Sequence, residues 1–330
     1  MHPANYVEPN RYAVILAGGD ATRLMALSRR ITGQSIPKQF CPIVGESTLL
    51  DQTRRRVALI FNPKRTIVVL TRKHEEFYRD QVDDLPDSNL VVQAENRGTA
   101  AAILYALVRI AKLDPYAVVT VFPSDHFVDN QRRFMSHAET AMRAATAHPS
   151  QLVLLGIKPD RAESGYGWIE PAESSGEGST FLRVARFWEK PPTALAQKLW
   201  RRGCLWNSFV MAGTVRAFAT MVARSLPELK RTFSSVWLAL GTSDEQATMR
   251  QAYARLPCRD FSSEVLARNA RALAVVPVGG VYWNDLGDPH RVYETLARTR
   301  GRPSWMSQRT PPNRNDFVRR MLPRIIRPAH

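Results

Sequence analysis

The feature that most restricts this chain is a series of short segments that are apolar on both faces. YAVILA (12–17), RTIVVLT (65–71), NLVVQA (89–94), AVVTVFP (117–123) and LVLLGI (152–157) each hold four or more apolar residues within a strand's length. Strands lacking apolar/polar alternation belong in a parallel sheet covered by helices on each side. Helical patterns lie between them. Thr99 is placed to cap a helix that repeats Ile103, Leu107 and Ile110 on one face, and Phe134, Ala138, Ala141, Met142 and Ala145 do the same within 132–147. Strand–helix alternation predicts a three-layer α/β fold with a mostly parallel central sheet.

After residue 160 the rhythm changes. YGWIEP, a Ser/Gly/Glu-rich loop at 173–179 and FLRVARFWEKP read as strands joined by a hairpin loop. Helical patterns follow from about 192 to 256, and then a strand, ALAVVPV (272–278). The expected organisation is a short N-terminal extension (1–10), one folded body (11–298) and a basic tail (299–330). The body divides into a strand–helix half, about 11–160, and a smaller β/α subregion, about 161–298.

Charge narrows the function classes. The net charge is +16, and residues 300–330 carry eight arginines against Asp316 alone, about +7 of that total. The tail reads as a solvated extension, and it forms no basic motif with interleaved aromatics that would predict a specific nucleic-acid partner. The remaining excess suits an enzyme acting on polyanions. No apolar run reaches the ~18 residues of a membrane span, and the N-terminus has no signal-peptide pattern. Cys41, Cys204 and Cys258 are scattered without metal-ligand spacing, the usage of reduced thiols in a cytoplasm.

The chemistry concentrates at strand ends. VILAGGDATRL (14–24) runs from a strand into Gly18-Gly19 and then Arg23, a loop whose bare backbone can approach a phosphate or can simply turn the chain. It is neither a Walker loop nor a dinucleotide fingerprint. Lys38, in Pro37-Lys38-Gln39-Phe40, brings a second cation by a separate route. VFPSDHFV (121–128) sends Asp125 out at the sheet edge where α/β proteins bind ligands. A carboxylate facing phosphates needs a divalent cation between them, so Asp125 is a candidate Mg²⁺ ligand, with Asp285 of Trp283-Asn284-Asp285-Leu286-Gly287 as a second. Read singly, either Asp serves equally as a cap or turn residue. His126 reads as structural. Arg97-Gly98-Thr99 opens a helix, where free N–H groups favour polar or anionic ligands. Gly167 beside an aromatic, Glu189-Lys190-Pro191 and Trp206-Asn207-Ser208 together suit a sugar phosphate.

In this order the motifs resemble the sugar-1-phosphate nucleotidyltransferases, most closely the mannose-1-phosphate guanylyltransferase branch. The family's Ala-Gly-Gly-x-Gly-Thr-Arg-Leu is matched by residues 17–24, Pro-Lys-Gln-Phe by 37–40 and Arg-(Asn/Gly)-Thr-Ala by 97–100. Pro-Ser-Asp-His falls at 123–126, Gly-Tyr-Gly-(Tyr/Trp)-Ile at 165–169 and Phe-x-Glu-Lys-Pro at 187–191. Trp-Asn-Ser lies at 206–208 and Trp-x-Asp-(Leu/Val)-Gly at 283–287. The departure is Ala21, where the family has glycine; if that site needs positive φ, alanine costs about 1 kcal/mol there. The variable position held by Asp20 implies a side chain turned to solvent.

The resemblance implies a Rossmann-like nucleotidyltransferase fold and a reaction of GTP with mannose 1-phosphate, giving GDP-mannose and pyrophosphate with Mg²⁺ as cofactor. It implies that Leu16, Ala17, Gly18, Gly19, Arg23, Lys38, Arg97, Gly98 and Thr99 serve the nucleotide. Gly167, Glu189, Lys190 and Asn207 would serve the sugar phosphate, Asp125 and Asp285 the metal, and Arg23, Lys38 and Asp125 catalysis. A homodimer and the absence of a phosphomannose isomerase activity are further expectations. Two rivals stand beside this reading: the same chemistry on glucose 1-phosphate with UTP or ATP, and a non-catalytic nucleotide-sugar sensor with a basic docking tail.

Overall fold

The computed structural model describes residues 10–172 and 180–307. The extension before residue 10, the loop at 173–179 and the tail from 308 onward lie outside the described residues.

The first half follows the expected alternation. Strands β1 (Arg11–Leu16), β2 (Thr66–Thr71), β3 (Leu90–Gln93) and β4 (Val118–Pro123) pair in parallel. The connecting helices are α1 (Met25–Thr32), α2 (Leu49–Val57), the short α3 (Glu75–Tyr78) and α4 (Gly98–Leu113). α4 begins one residue before Thr99, so Thr99 sits inside the helix and Arg97 occupies the cap position. A two-residue strand, β5 (Phe127–Val128), then leads into α5 (Gln131–Ala147), which Asn130 caps by accepting from the Arg133 amide. β6 (Leu152–Ile157) is buried along its whole length.

The second half supplies β7 (Trp168–Pro171), β8 (Leu182–Trp188), α6 (Thr193–Arg201) and the long β9 (Leu205–Thr214). Helices α7 (Val215–Ser225), α8 (Pro227–Ala239) and α9 (Glu245–Arg255) follow, then β10 (Leu273–Val278), β11 (Trp283–Asn284) and α10 (Pro289–Thr299). The nine-stranded sheet runs β3-β2-β1-β4-β9-β6-β10-β8-β7. β9 is antiparallel to both β4 and β6, so it joins two parallel blocks. Beyond it the sheet curls until β7 pairs back onto β9. That curl forms the smaller subregion.

Helices cover both faces. One core packs α4, α7, α8 and α9 on the sheet through Ile103, Phe218, Phe233 and Tyr253. The other packs α2 and α5 through Leu50, Phe134 and Met142. A third, smaller core joins α1, α10 and Trp305. Trp305 is buried and its Nε1 donates to the Ile43 carbonyl, while Ser304 hydrogen-bonds Glu46. Residues 300–307 are therefore bound to the body, past the boundary expected at 298. Among the described residues no helix is long and apolar enough to cross a membrane.

Candidate active site

Parallel pairing of β1 with β4 puts Leu16 opposite Pro123, so the glycine loop and Ser124-Asp125 leave the sheet together. Every carbonyl at the start of the loop is tied inward. Leu16 O accepts from Ser124, Ala17 O and Gly19 O accept from Gln39 Nε2 at 3.0 and 2.7 Å, and Gly18 O accepts from Thr71 at 2.9 Å. Among the described residues nothing accepts from the amides of Gly18 through Arg23. Carbonyls turned in and N–H groups turned out make a cradle for anions. A side chain on Gly18 would strike Thr71 and Gln93, which explains that glycine.

Ala21 closes the cradle in the left-handed region, φ 49° and ψ 38°. Asp20, expected to face solvent, instead anchors the loop. It pairs with Lys73 at 2.5 Å and His74 at 3.2 Å and accepts from Asn96. Burial alone would raise its pKa, but Lys73 and Asn96 outweigh burial and hold the carboxyl below its usual range. Arg23 is exposed, with no ion-pair partner among the described residues.

Antiparallel pairing of β11 with β5 sets Asn284 opposite Phe127 and brings Asp285 to the rim where Asp125 emerges. The buried Lys38 links them: its Nζ donates to Asp285 O at 2.6 Å and Leu286 O at 3.2 Å and pairs with Asp125 Oδ2 at 3.1 Å. Lys38 thus points at the acids, and it is Gln39 that touches the glycine loop. His126 packs edge-on against Trp283, and burial lowers its pKa, as suits a structural histidine.

The two acids differ. Asp125 is about a third exposed and has Lys38 as its close partner. Asp285 is locked: Arg291 Nη1 donates to both its oxygens at 2.8 and 2.9 Å, and Gly287 N and Tyr166 OH add to Oδ1. Burial raises the Asp285 pKa, but Arg291 and then Lys38 reverse this and hold it low. Arg291 is itself buried, reaches Glu163 at 3.0 Å and lies 4.3 Å from the Tyr166 ring centroid. Among the described residues Asp125 Oδ1 has only His126, 3.5 Å away, and Asp285 Oδ2 has only Arg291. Two such carboxylates fit Mg²⁺, which binds one or two protein carboxylates and completes its shell on phosphates and water. Among the described residues no larger cluster of ligating side chains exists.

The residues expected to serve the sugar phosphate lie together. The Asn207 amide donates to Gly167 O at 2.8 Å, and a side chain on Gly167 would strike Glu189 and press on Asn207. A register shift between β6 and β9 falls beside Asn207, where Ser208 caps Leu155 O and Phe209 takes φ 61°. Bulges of this kind re-aim side chains at sites. Lys190, φ 45°, pairs with Glu189 at 3.2 Å. Burial raises the Glu189 pKa, with Lys190 opposing.

The start of α4 is less open than expected. Gly98, φ 82°, abuts the Arg259 backbone, and Ala100 N donates to Arg259 O. Thr99 Oγ1 donates to Asp260 and accepts from Phe261 N. Arg97 pairs with Glu95 at 2.7 Å. These residues fasten the segment around 259–261 to the helix.

Among the described residues, the non-glycine positions with positive φ are Ala21, Lys190, Phe209, Leu286 and Arg300. All but Arg300 adjoin this rim. Strain of about 1–2 kcal/mol per residue, gathered in one place, is characteristic of sites held in shape by their surroundings.

Sequence reasoning missed Gln39, Thr71, Gln93, Tyr166 and Arg291 as site-builders. Gln39 and Tyr166 stand inside quoted motifs, where their neighbours drew the attention. Arg291 gave no signal, since an arginine on an amphipathic helix ordinarily faces water.

A family model for nucleotidyl transferases matches residues 12–300. The xanthan biosynthesis protein XanB of Xanthomonas campestris is 32% identical over 279 residues, 83% of this chain and 57% of that protein. A mannose-1-phosphate guanylyltransferase of Escherichia coli is 29% identical over 303 residues, 87% of this chain and 60% of that protein. The chain thus spans less than two thirds of the length of these curated relatives. A crystal structure described as a mannose-1-phosphate geranyltransferase from Thermus thermophilus superposes with a TM-score of 0.74 at 30% identity, covering 86% of this chain and 79% of that one.

Proposed function

The chain belongs to the nucleotidyl transferase family, and from that premise we propose that it transfers the guanylyl group of GTP to mannose 1-phosphate, forming GDP-mannose and releasing pyrophosphate. The observation that carries this reading is the cradle: its carbonyls are tied back while its amides from Gly18 to Arg23 are left open. The names of the relatives supply the choice of sugar and base.

A phosphate oxygen of the sugar phosphate attacks the α-phosphorus of the nucleotide, and the bond to the bridging oxygen of the departing pyrophosphate breaks. The attacking oxygen is already anionic, so no general base is required, and the work is positioning and charge neutralisation. The amides of Gly18 and Gly19, with Leu16 and Ala17 behind them and Arg23 above, bind the β- and γ-phosphates. Lys38 spends its three donors on Asp125 and two carbonyls, and hands one of them to an α-phosphate oxygen when substrate arrives. Arg97, Gly98 and Thr99 shape the wall along the nucleoside. Glu189 and Asn207 take hydroxyls of the sugar, Gly167 leaves room for it, and Lys190 pairs its phosphate. Asp125 and Asp285 would hold Mg²⁺, and that ion would supply neutralisation of the phosphates' negative charge.

Pyrophosphate release across a panel of nucleoside triphosphates and sugar 1-phosphates tests this directly. Release with GTP and mannose 1-phosphate, lost in chelator, is the expected result. Release with UTP or ATP and glucose 1-phosphate would reassign the substrates, and no release with any pair would leave a nucleotide-sugar sensor.

A further inference from the structure

The sheet edge opposite the catalytic rim carries a second concavity. β6 and β10 run parallel and both end near the rim, in the stretches leading to Tyr166 and Asp285. At their starts, about 20 Å away at the rise of a six-residue strand, lies a cavity of about 600 Å³. It is walled by the turn before β6, one side of α7 along its length and the residues just before β10, and the exposed Arg216, Arg224 and Arg271 line it. No carboxylate does.

Some arginines elsewhere find acids, as Arg259 does Glu228, Arg161 does Glu294 and Arg291 does Asp285, whereas others, such as Arg23, stand exposed without one among the described residues. Among the described residues Arg216, Arg224 and Arg271 have no such partner. Three uncompensated guanidinium groups around one hollow repel one another, and an anion between them reverses that sign. The volume lies within the range of small-molecule sites, and a hollow rather than a stripe selects a compact ligand over a nucleic-acid strand.

We propose that this cavity binds a small polyanion carrying two or more phosphate-like groups, at a site separate from the catalytic rim. The arginines supply bidentate contacts to the anionic oxygens.

The test uses the full chain and inorganic tripolyphosphate as probe. Phenylglyoxal labelling is read residue by residue by mass spectrometry, with Arg201, exposed on α6, as the internal reference. Tripolyphosphate is expected to slow labelling of Arg216, Arg224 and Arg271 about fivefold or more relative to Arg201, as charge-assisted bidentate contacts would. Isothermal titration should count one site fewer in R216A/R271A than in the wild type, while protection of Arg23 and the Tm persist. Unchanged labelling of the three arginines, or equal site counts in both proteins, would overturn the proposal.

Discussion

Asp125 and Asp285 look alike in the sequence, each following a buried strand, yet the fold treats them in opposite ways. Asp125 is part-exposed at the end of β4 with one cation beside it. Asp285 is the acceptor for a buried arginine that also holds Glu163, so it joins the segment after β6 to the segment after β10. A carboxylate with one partner can exchange it for a ligand cheaply. A carboxylate that satisfies a buried guanidinium cannot leave without stranding that charge. On the proposed function, one acid would serve the reaction alone, and the other both the reaction and the assembly of the site.

The largest expected effect separates them. D285A should remove turnover and also cost stability, up to about 3 kcal/mol, because the buried Arg291 loses its bidentate partner and keeps only Glu163 and the more distant Asp288. D125A should remove turnover at a smaller cost in Tm, because Lys38 loses its ion pair but keeps the Asp285 and Leu286 carbonyls. Equal melting temperatures for the two variants would break the comparison. Next comes K38M, which links both acids and should lower kcat about 10²–10³-fold, the usual effect of deleting one preorganised charge; a change confined to KM would limit Lys38 to ground-state binding.

A smaller effect should appear in the pH dependence of stability. Burial raises the Glu189 pKa, so its contribution is present in full below the unfolded carboxylate pKa and is lost as pH rises through the folded value. E189Q should therefore melt higher than wild type at neutral pH, with the gap closing toward pH 4, while losing activity. Asp285 has the opposite sign. Its pKa is held low, so its stabilisation is present above the unfolded value and lost as pH falls through the folded one. Urea midpoints for E189Q and D285N across pH 3–8 check both signs. The smallest effect is A21G, which should relieve about 1 kcal/mol of left-handed strain, partly offset by glycine's unfolded-state entropy, and leave the loop's contacts intact.

Much of this was legible beforehand for physical reasons. Strands such as 152–157, apolar on both faces, allow few environments, and the parallel sheet covered by helices follows from them. Paired glycines after β1 and the acid after β4 mark strand ends, so the rim could be drawn from the chain alone. What could not be read were contacts between distant segments. The Gln39 clamp on Ala17 and Gly19, the Asp20–Lys73 anchor and the Arg291 hub each depend on how loops cross in space. Thr99 misled because a threonine beside an apolar run signals a cap, whereas its hydroxyl is occupied by Asp260 and Phe261. The boundary at 298 misled because Pro and Arg signalled a tail, although Trp305 supplies enough apolar surface to dock.

The central claim is that the free amides of the glycine loop receive the nucleotide's phosphates. Backbone amide shifts of the ¹⁵N-labelled chain on addition of GTP test it most directly. The account predicts that the resonances of Gly18, Gly19 and Ala21 move furthest, with the Arg23 side chain following. Amides in that loop that stay still while GTP binds elsewhere would contradict it.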